Sequence, residues 1–442
     1  MKCRSSRVPD LYIGGFSILA AFLLILIRVP VGAALGISAF SGVYFVLGWK
    51  PAWGVLAAVP FDFASHWTLS SIPMFLMMGY VAFYSKLSDG LFNAASAWLR
   101  WMPGGLAAAS VGASAGFSAV TGSSLACSAA MGRIVVPQML AKGYDKGLAT
   151  GVVAASGTIG SMIPPSIILL IFGIFAEVPI NKLFVAGVIP GVLTAIMFIL
   201  MIVVRVILKP ELAPREEISE SWKERFATLI DTWPAAVLIL GVFGGLFSGF
   251  FSATEAGAVG ALLALVLAAV RRTLSLETFF MALNETVKTT ASVFIIAIGA
   301  ALLVRLMALT GVAEFLSSFA TDANIQPLML ILGLSVVYLL LGMFLDPIGI
   351  MLLTLPIFLP IAEDLGINLI WFGIIITKLL EMGLITPPVG LNVYVIKGIV
   401  GNTVSLERIF KGVGWFLLAD IVTLTVLIAF PFITLYLPGL MD

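Results

Sequence analysis

Two small polar clusters interrupt long apolar stretches of this chain, and the same landmarks follow each. The first is Thr121-Gly122-Ser123-Ser124, then Pro137, Gly143 and Pro164-Pro165. The second is Leu345-Asp346-Pro347, then Pro360, Gly366 and Pro387-Pro388, every landmark shifted by 223 positions (137 to 360, 143 to 366, 164 to 387). The hydroxyls of Thr121 and Ser124, with the main-chain carbonyls of Gly160, Ile163 and Pro164, make one set of hard oxygen donors. Such donors suit a small hard cation rather than a soft metal. Gly342, facing Gly383, Thr386 and Pro387, makes the second set, since Gly160 maps to Gly383 and Pro164 to Pro387. Helix ends at these interruptions would also offer free N–H groups and a positive dipole end to a carboxylate. Ser123, Asp346 and Asn392 are the polar groups placed to meet such a substrate.

Each residue has a plainer reading. Clusters of small residues let membrane helices pack closely, but two such clusters, each facing a Pro-Pro break, favour ion sites. Asp346 precedes Pro347 and is equally suited to cap a helix; the two roles are compatible. Asn392 could make a helix–helix hydrogen bond instead of contacting substrate. Glu381 is a weaker candidate that could equally lie near the water boundary, and Glu255 is expected to cap the helix it begins or to pair with a neighbouring cation. Arg133, about 15 Å along a helix from the first cluster, is expected to snorkel to the interface, and Arg305 also sits in an apolar stretch. A proton relay would need more embedded carboxylates or histidines, so cation coupling through neutral oxygens is preferred.

The composition sets the environment of these groups. With 61% hydrophobic and 11% charged residues, the chain lacks the charge, roughly 25% in soluble domains, needed to cover a water-facing surface. It reads as an all-α polytopic membrane protein. The net charge of +1 and the absence of a basic patch speak against nucleic acid. The single histidine, His66, and the distant Cys3 and Cys127 do not support a metal centre. Cys127 is expected to be a buried thiol. No phosphate-binding loop is present, so nothing supports transport driven by the chain's own ATP hydrolysis, and no cofactor is expected.

Helical segments of about 17–25 apolar residues span a bilayer. Leu11–Ile27 and Val31–Leu47 form a first pair, the first read as a retained span rather than a cleaved signal because no small-residue cleavage site follows. Trp49–Ser70 is a mixed, aromatic-rich interfacial connector. Ile72–Ser85 starts the next span and Leu87–Trp101 is amphipathic. Gly105–Ala141 is too long for one span and is broken near its middle, which fits a re-entrant hairpin. Leu148–Ile163 and Ser166–Val178 make one broken helix around Pro164-Pro165, because proline removes a donor and restrains the residue before it. Leu183–Val204 spans, Arg205–Asp231 is polar, and Pro234–Phe251 with Ala253–Val270 form a tight pair. The second copy runs in the same order: amphipathic Leu276–Thr290, the span Ala291–Leu309, a hairpin over Leu328–Ala362, and a broken helix of Ile370–Thr386 and Val389–Val400. A short amphipathic piece around Glu407-Arg408 precedes the last span, Val413–Leu435.

Five crossings separate the copies, so the second is inverted relative to the first; paired interrupted segments in inverted halves mark the central site of a secondary transporter. A cytoplasmic Arg205–Asp231 loop puts most basic residues inside, Arg100, Lys142, Lys146, Lys397, Arg408 and Lys411 among them, as the positive-inside tendency requires. Both termini are then periplasmic, against the charge of Lys2, Arg4 and Arg7.

Six motifs in order, TGSSLACSAAMG from Thr121, GYDKGLATG from Gly143, GTIGSMIPPS from Gly157, SATEAGAVGA from Ser252, LDPIGIMLLTLPIFLP from Leu345 and EMGLITPPVGLN from Glu381, resemble the large membrane subunit of the tripartite ATP-independent periplasmic (TRAP) transporters. The resemblance covers nearly the whole chain. It implies an elevator-type secondary transporter with a scaffold and a mobile domain, sodium coupling, and uptake of organic acids such as C4-dicarboxylates or sialic acid across a bacterial inner membrane. It implies two partners, a small four-helix membrane subunit and a periplasmic substrate-binding protein. Thr121, Ser124, Gly160, Ile163 and Pro164 match one family sodium site, and Gly342, Gly383, Thr386 and Pro387 roughly match the other. TGSS replaces the common SGSS, which keeps the hydroxyl, and SATEAG replaces PTEAA in the expected scaffold. The implied division is residues 1–70 as N-terminal scaffold and connector, 71–208 as the first repeat, 209–290 as linker, scaffold pair and amphipathic arm, and 291–442 as the second repeat. A stand-alone anion–sodium symporter and, from another class, a channel or passive scaffold are the alternatives. An enzyme has least support, for no nucleophile–base pair or metal cluster is evident.

Overall fold

The computed structural model describes residues 7–214 and 221–441, among which there is no strand. Lys2 and Arg4, whose charge opposes a periplasmic N-terminus, lie outside the described residues, as does part of the polar loop. In chain order the helices are α1 (Arg7–Leu26), α2 (Val31–Leu47), α3 (Trp49–Ala64), α4 (Ser71–Tyr84), α5 (Asp89–Leu99), α6 (Gly105–Thr121), α7 (Ser124–Ala141), α8 (Lys146–Ser156), α9 (Ile167–Phe175), α10 (Ile180–Leu208), α11 (Trp222–Ile230), α12 (Trp233–Phe247), α13 (Ala253–Val270), α14 (Leu276–Thr310), α15 (Val312–Asp322), α16 (Pro327–Gly342), α17 (Pro347–Asp364), α18 (Leu369–Gly383), α19 (Leu391–Val400), α20 (Leu406–Ala429) and α21 (Phe432–Gly439).

The repeat in sequence is a repeat in structure. Helices α5, α7 and α8 start 223 positions before α15, α17 and α18 (89 to 312, 124 to 347, 146 to 369). The first hairpin is α6 packed on α7, the second α16 packed on α17. The first broken helix is α8 and α9, the second α18 and α19. Local chemistry fixes where each element starts. Ser123 caps α7 by accepting from the Ala126 N–H, and its counterpart Asp346 caps α17 by accepting from the Gly349 N–H at 2.9 Å. Asp145 and its counterpart Asn368 cap α8 and α18 in the same way. A Ser252–Glu255 capping box starts α13, as expected for Glu255.

Several elements differ from the sequence expectation. The interfacial connector is a helix, α3, followed by a 3-10 turn at Trp67–Ser70. Its exposed Trp49, Trp53, Phe61 and Trp67 match the aromatic belt of a membrane interface. In the second copy the amphipathic piece and the span fuse into α14, 35 residues long, about 52 Å and well beyond a bilayer core. Nothing between Leu276 and Thr310 plays the part of Pro60 and the Ser65-His66 turn that separate α3 from α4. Helix α15, not anticipated, is the counterpart of α5. The Glu407-Arg408 piece is continuous with the last span, which stops at Ala429 before Pro431. The first broken helix loosens at Gly157, seven residues ahead of Pro164, into a 3-10 turn over Gly157–Ser161.

Glycine makes these irregular segments fit. A Cβ on Gly160 would lie 3.0 Å from the Ser124 nitrogen, and one on Gly122, whose φ is +63°, would strike the Pro165 carbonyl. The first tip therefore sits on the first break. In the second copy a Cβ on Gly342 would come within 2.7 Å of the Gly383 Cα, and the reverse holds equally. Both Pro-Pro bonds are cis. Pro164 and Pro165 are buried, whereas Pro387 and Pro388 are exposed.

The buried apolar side chains fall into two clusters that mix the copies. One unites Phe117, Val135 and Val153 of the first copy with Val393, Ile396 and Phe416 of the second. The other unites Leu170 and Phe172 of α9 with Ile350, Phe372 and Ile376 of α17 and α18, and extends to α2, α4, α13 and α14. Lys378 of α18 forms a fully buried ion pair with Asp420 of α20 within the second copy, and across the copies it donates to Thr194 Oγ1 of α10 at 3.2 Å. Thr194 and Asp420 are counterparts (shifted by 226), so one lysine ties equivalent points of two equivalent helices. Neither Lys378 nor Asp420 was weighed from sequence. At one end of the bundle Arg408 pairs with Asp145, Lys146 donates to the Thr403 carbonyl, and the Trp98 indole donates to the Arg225 carbonyl. Of the basic residues that charge counting puts on one side, Lys146 and Arg408 meet here.

Two stability predictions follow from this packing. Gly383→Ala is expected to lower unfolding stability by about 1–3 kcal/mol through overpacking, whereas Gly333→Ala, with open space around it, is expected to be neutral or slightly stabilising. Thermal unfolding in detergent measures both. Lys378→Met is expected to cost about 3–5 kcal/mol by leaving a buried carboxylate unpaired, and Lys378→Met/Asp420→Leu to recover most of it. A double variant no more stable than Lys378→Met would disprove the pairing argument.

Candidate functional site

The two hairpin tips meet at one cavity. It measures about 550 Å³ and is lined by Ser123, Ser124, Asp346, Pro347, Ser161 and Glu381, with Tyr80, Tyr84, Thr289 and Arg133 around them. Tips and breaks supply one side. Helices α4 and α14 supply the other, held together by a 2.8 Å hydrogen bond between the Tyr80 and Thr289 hydroxyls. The N-terminus of α7 and that of α17 both open here, bringing two sets of helix-end N–H groups to one space. The two ends differ in charge: α7 has the neutral cap Ser123, α17 the carboxylate of Asp346.

The first oxygen set is compact. Ser124 Oγ lies 2.9 Å from Ser161 Oγ and donates to Glu381 Oε2 at 2.5 Å. Glu381 is fully buried, and its Oε1 has no hydrogen-bond partner. A buried carboxyl group with an idle oxygen, beside serine hydroxyls, adds one more hard oxygen donor to the set. Thr121 Oγ1 donates to the Phe117 carbonyl at 3.2 Å, leaving its lone pairs for a further partner. Gly160 and Pro164 are buried and Ile163 partly so, in the segment against which Ser124 packs.

The second set is built differently. Gly342 and Gly383 touch backbone to backbone. Thr386 Oγ1 donates to the Met382 carbonyl at 2.7 Å, and the Thr386 N–H to the Gly383 carbonyl at 3.1 Å. Pro387 is exposed. This break is open where the first is closed.

The candidate substrate residues separate. Ser123 and Asp346 line the cavity. Asn392 does not: it is fully buried, and its amide donates to the Ala154 carbonyl at 3.2 Å, the helix–helix bond that was its alternative. Arg133 is exposed and lines the cavity, so the side chain read as snorkelling sooner than holding substrate brings a cation to the space. Glu381, a weaker candidate with the water boundary as its alternative, is in the interior beside Ser124. Its position three residues after Lys378 in an apolar helix was the available signal, since that spacing puts both on one helix face.

Chemically, the arrangement offers oxygen donors for a cation and helix-end N–H groups plus a guanidinium for an anion, around one cavity between two packed bodies of helix. Comparison with known proteins accords with this. The DctM component of the tripartite ATP-independent periplasmic transporters matches residues 18–433. The chain is 34% identical over 386 residues to the C4-dicarboxylate TRAP transporter large permease protein DctM of Pseudomonas aeruginosa, covering 87% of this chain and 89% of that one. It is 31% identical over 439 residues to the sialic acid TRAP transporter permease protein SiaT of Haemophilus influenzae, covering 97% of this chain and 69% of that one. Among solved structures, the fold is similar to MtrF of Neisseria gonorrhoeae (TM-score 0.60, 14% identity, 93% of this chain and 94% of that one). It is also similar to the YdaH transporter of Alcanivorax borkumensis (TM-score 0.60, 15% identity, 94% and 98%). The chain therefore belongs to the DctM family, the large permease component of the tripartite ATP-independent periplasmic transporters.

Proposed function

We propose that this permease imports organic acids of the C4-dicarboxylate or sialic acid type across a bacterial inner membrane, coupled to sodium, after delivery by a periplasmic binding protein. The observation that carries the reading is the convergence of both hairpin tips, with Ser123, Ser124, Asp346 and Glu381, on one cavity of about 550 Å³. The coupling ion is carried as a substrate: Thr121, Ser124, Gly160, Ile163 and Pro164 hold one sodium, and Gly342, Gly383, Thr386 and Pro387 the other. The names of the relatives support the substrate class. A small four-helix membrane subunit completes the permease, and both termini face the periplasm. No bond of the substrate is made or broken.

Charge explains the division of labour. The neutral cap Ser123 leaves the positive end of α7 available to a carboxylate, with Arg133 at the same cavity. The anionic cap Asp346 offsets the positive end of α17 and favours cations nearby. Transport proceeds by an elevator movement in which tips and breaks travel as a body past α4 and α14. The seating of each tip on its break supports this, because the oxygen sets then stay intact as the cavity moves.

The test is reconstitution with the small subunit and binding protein, following uptake of labelled organic acids. Uptake should require a sodium gradient, and sodium-independent uptake overturns the coupling. Uptake that needs no binding protein would instead indicate a stand-alone symporter. Thr121→Ala/Ser124→Ala is expected to raise the sodium concentration for half-maximal uptake about tenfold, equivalent to roughly 1.4 kcal/mol. An unchanged sodium dependence removes the first site. Ser123→Asp is expected to reduce carboxylate uptake about a hundredfold, because a like charge would oppose the substrate, while the thermal stability gained on adding sodium persists.

A further inference from the structure

A second cavity lies away from the transport site, on the outer face between α10 and α20. It measures about 620 Å³ and has two unlike parts. Its walls are two apolar stripes at helical spacing, Met197, Leu200, Met201, Val204 and Leu208 on one helix and Trp415, Leu418 and Val422 on the other. From Met197 to Leu208 the groove runs about 16 Å along the helix. One end is basic: Arg205, Lys209, Arg408 and Lys411 line it, with Asp145 the carboxylate there, engaged by Arg408. Lys411 pairs with the exposed Glu407.

Arg205 is the informative group. Its guanidinium rests over the Trp415 ring, 4.8 Å from the centroid, which fixes its position at the mouth of the groove. Its Nη1 is buried and has no hydrogen-bond partner. A buried guanidinium nitrogen without an acceptor is unfavourable, and the apolar walls provide none. The missing partner is an acceptor bearing negative charge, and the groove beyond it takes hydrocarbon. Basic pockets between membrane helices that join these two parts bind lipid headgroups.

We infer that the groove between α10 and α20 is a binding site for an anionic diacyl phospholipid, its headgroup phosphate accepting from Arg205 and Lys209 and an acyl chain lying along Leu200, Val204 and Leu418. The site joins α10 and α20, equivalent helices of the two repeats and the same pair that Lys378 ties together in the interior through Thr194 and Asp420. Lipid on the outside and lysine on the inside thus hold one helix pair from both faces.

Native mass spectrometry of the delipidated full chain tests this, titrating phosphatidylglycerol against phosphatidylethanolamine. Phosphatidylglycerol is expected to fill one saturable site that phosphatidylethanolamine does not. Arg205→Gln/Lys209→Gln is expected to weaken it about thirtyfold, with thermal unfolding in detergent unchanged. Equal binding of both lipids, or a double variant that binds like the parent, overturns the proposal. Leu200→Trp, which fills the groove without altering charge, is expected to weaken phosphatidylglycerol as well; full retention reduces the effect to surface charge and overturns the built site. Glycerol phosphate, the headgroup without its tails, is expected not to compete at equal concentration, and displacement by it overturns the lipid assignment.

Discussion

Every irregular stretch of backbone in this fold answers to one constraint: main-chain N–H and C=O groups inside an apolar bundle need partners or a cavity. The chain interrupts its helices four times, at two hairpin tips and two breaks, and each interruption would be unfavourable alone. Seating a tip on a break resolves two at once. The contact is so close that only hydrogen fits at Gly122, Gly342 and Gly383. The oxygen donors proposed for a cation come from these same interrupted segments. Hydroxyls at the first tip and the buried Glu381 add to a framework the backbone already provides.

Much of this could be read from residue types. Pro-Pro and glycine at a constant shift located both breaks, and hydroxyl or carboxyl residues ahead of a helix start located both tips, because these signals act within a few residues of themselves. What escaped was long-range. Nothing near Lys378 announces that Asp420 and Thr194 will meet it, and a lysine in an apolar helix reads as a residue seeking the surface. Glu381 is left between a site role and the water boundary for the same reason. Asn392 was assigned to the cavity by its closeness in sequence to Pro388, yet its side chain turns to α8. The fusion of α14 was obscured by a polar middle, Asn284 to Thr290, that a helix longer than the bilayer tolerates. Helix length was no guide to the hairpins: α7 and α17, at 18 residues each, are long and apolar enough to cross a membrane, though less apolar than α10, α13, α14 and α20.

The two copies share a plan and differ in charge and closure. Ser123 and Asp346 perform the same capping task, but one leaves a positive helix end bare and the other covers it with a carboxylate. The first break is sealed, its prolines buried, while the second has both prolines exposed. A twofold frame with unlike chemistry at its two ends can hold unlike ligands side by side, as one able to carry an anion together with cations must.

The mixing of the copies within each buried cluster bears on how the protein is made. Phe117, Val135 and Val153 share their buried cluster with Val393, Ile396 and Phe416, which come only near the end of the chain. During synthesis the first hairpin and α8 are therefore inserted with one flank bare, facing lipid or the insertion machinery while some two hundred residues are still to come. The first half cannot mature as a finished unit and wait for the second. Biogenesis must instead hold open a partly assembled bundle until α19 and α20 arrive to close it, so that truncation anywhere before them leaves an exposed seam for membrane quality control to recognise.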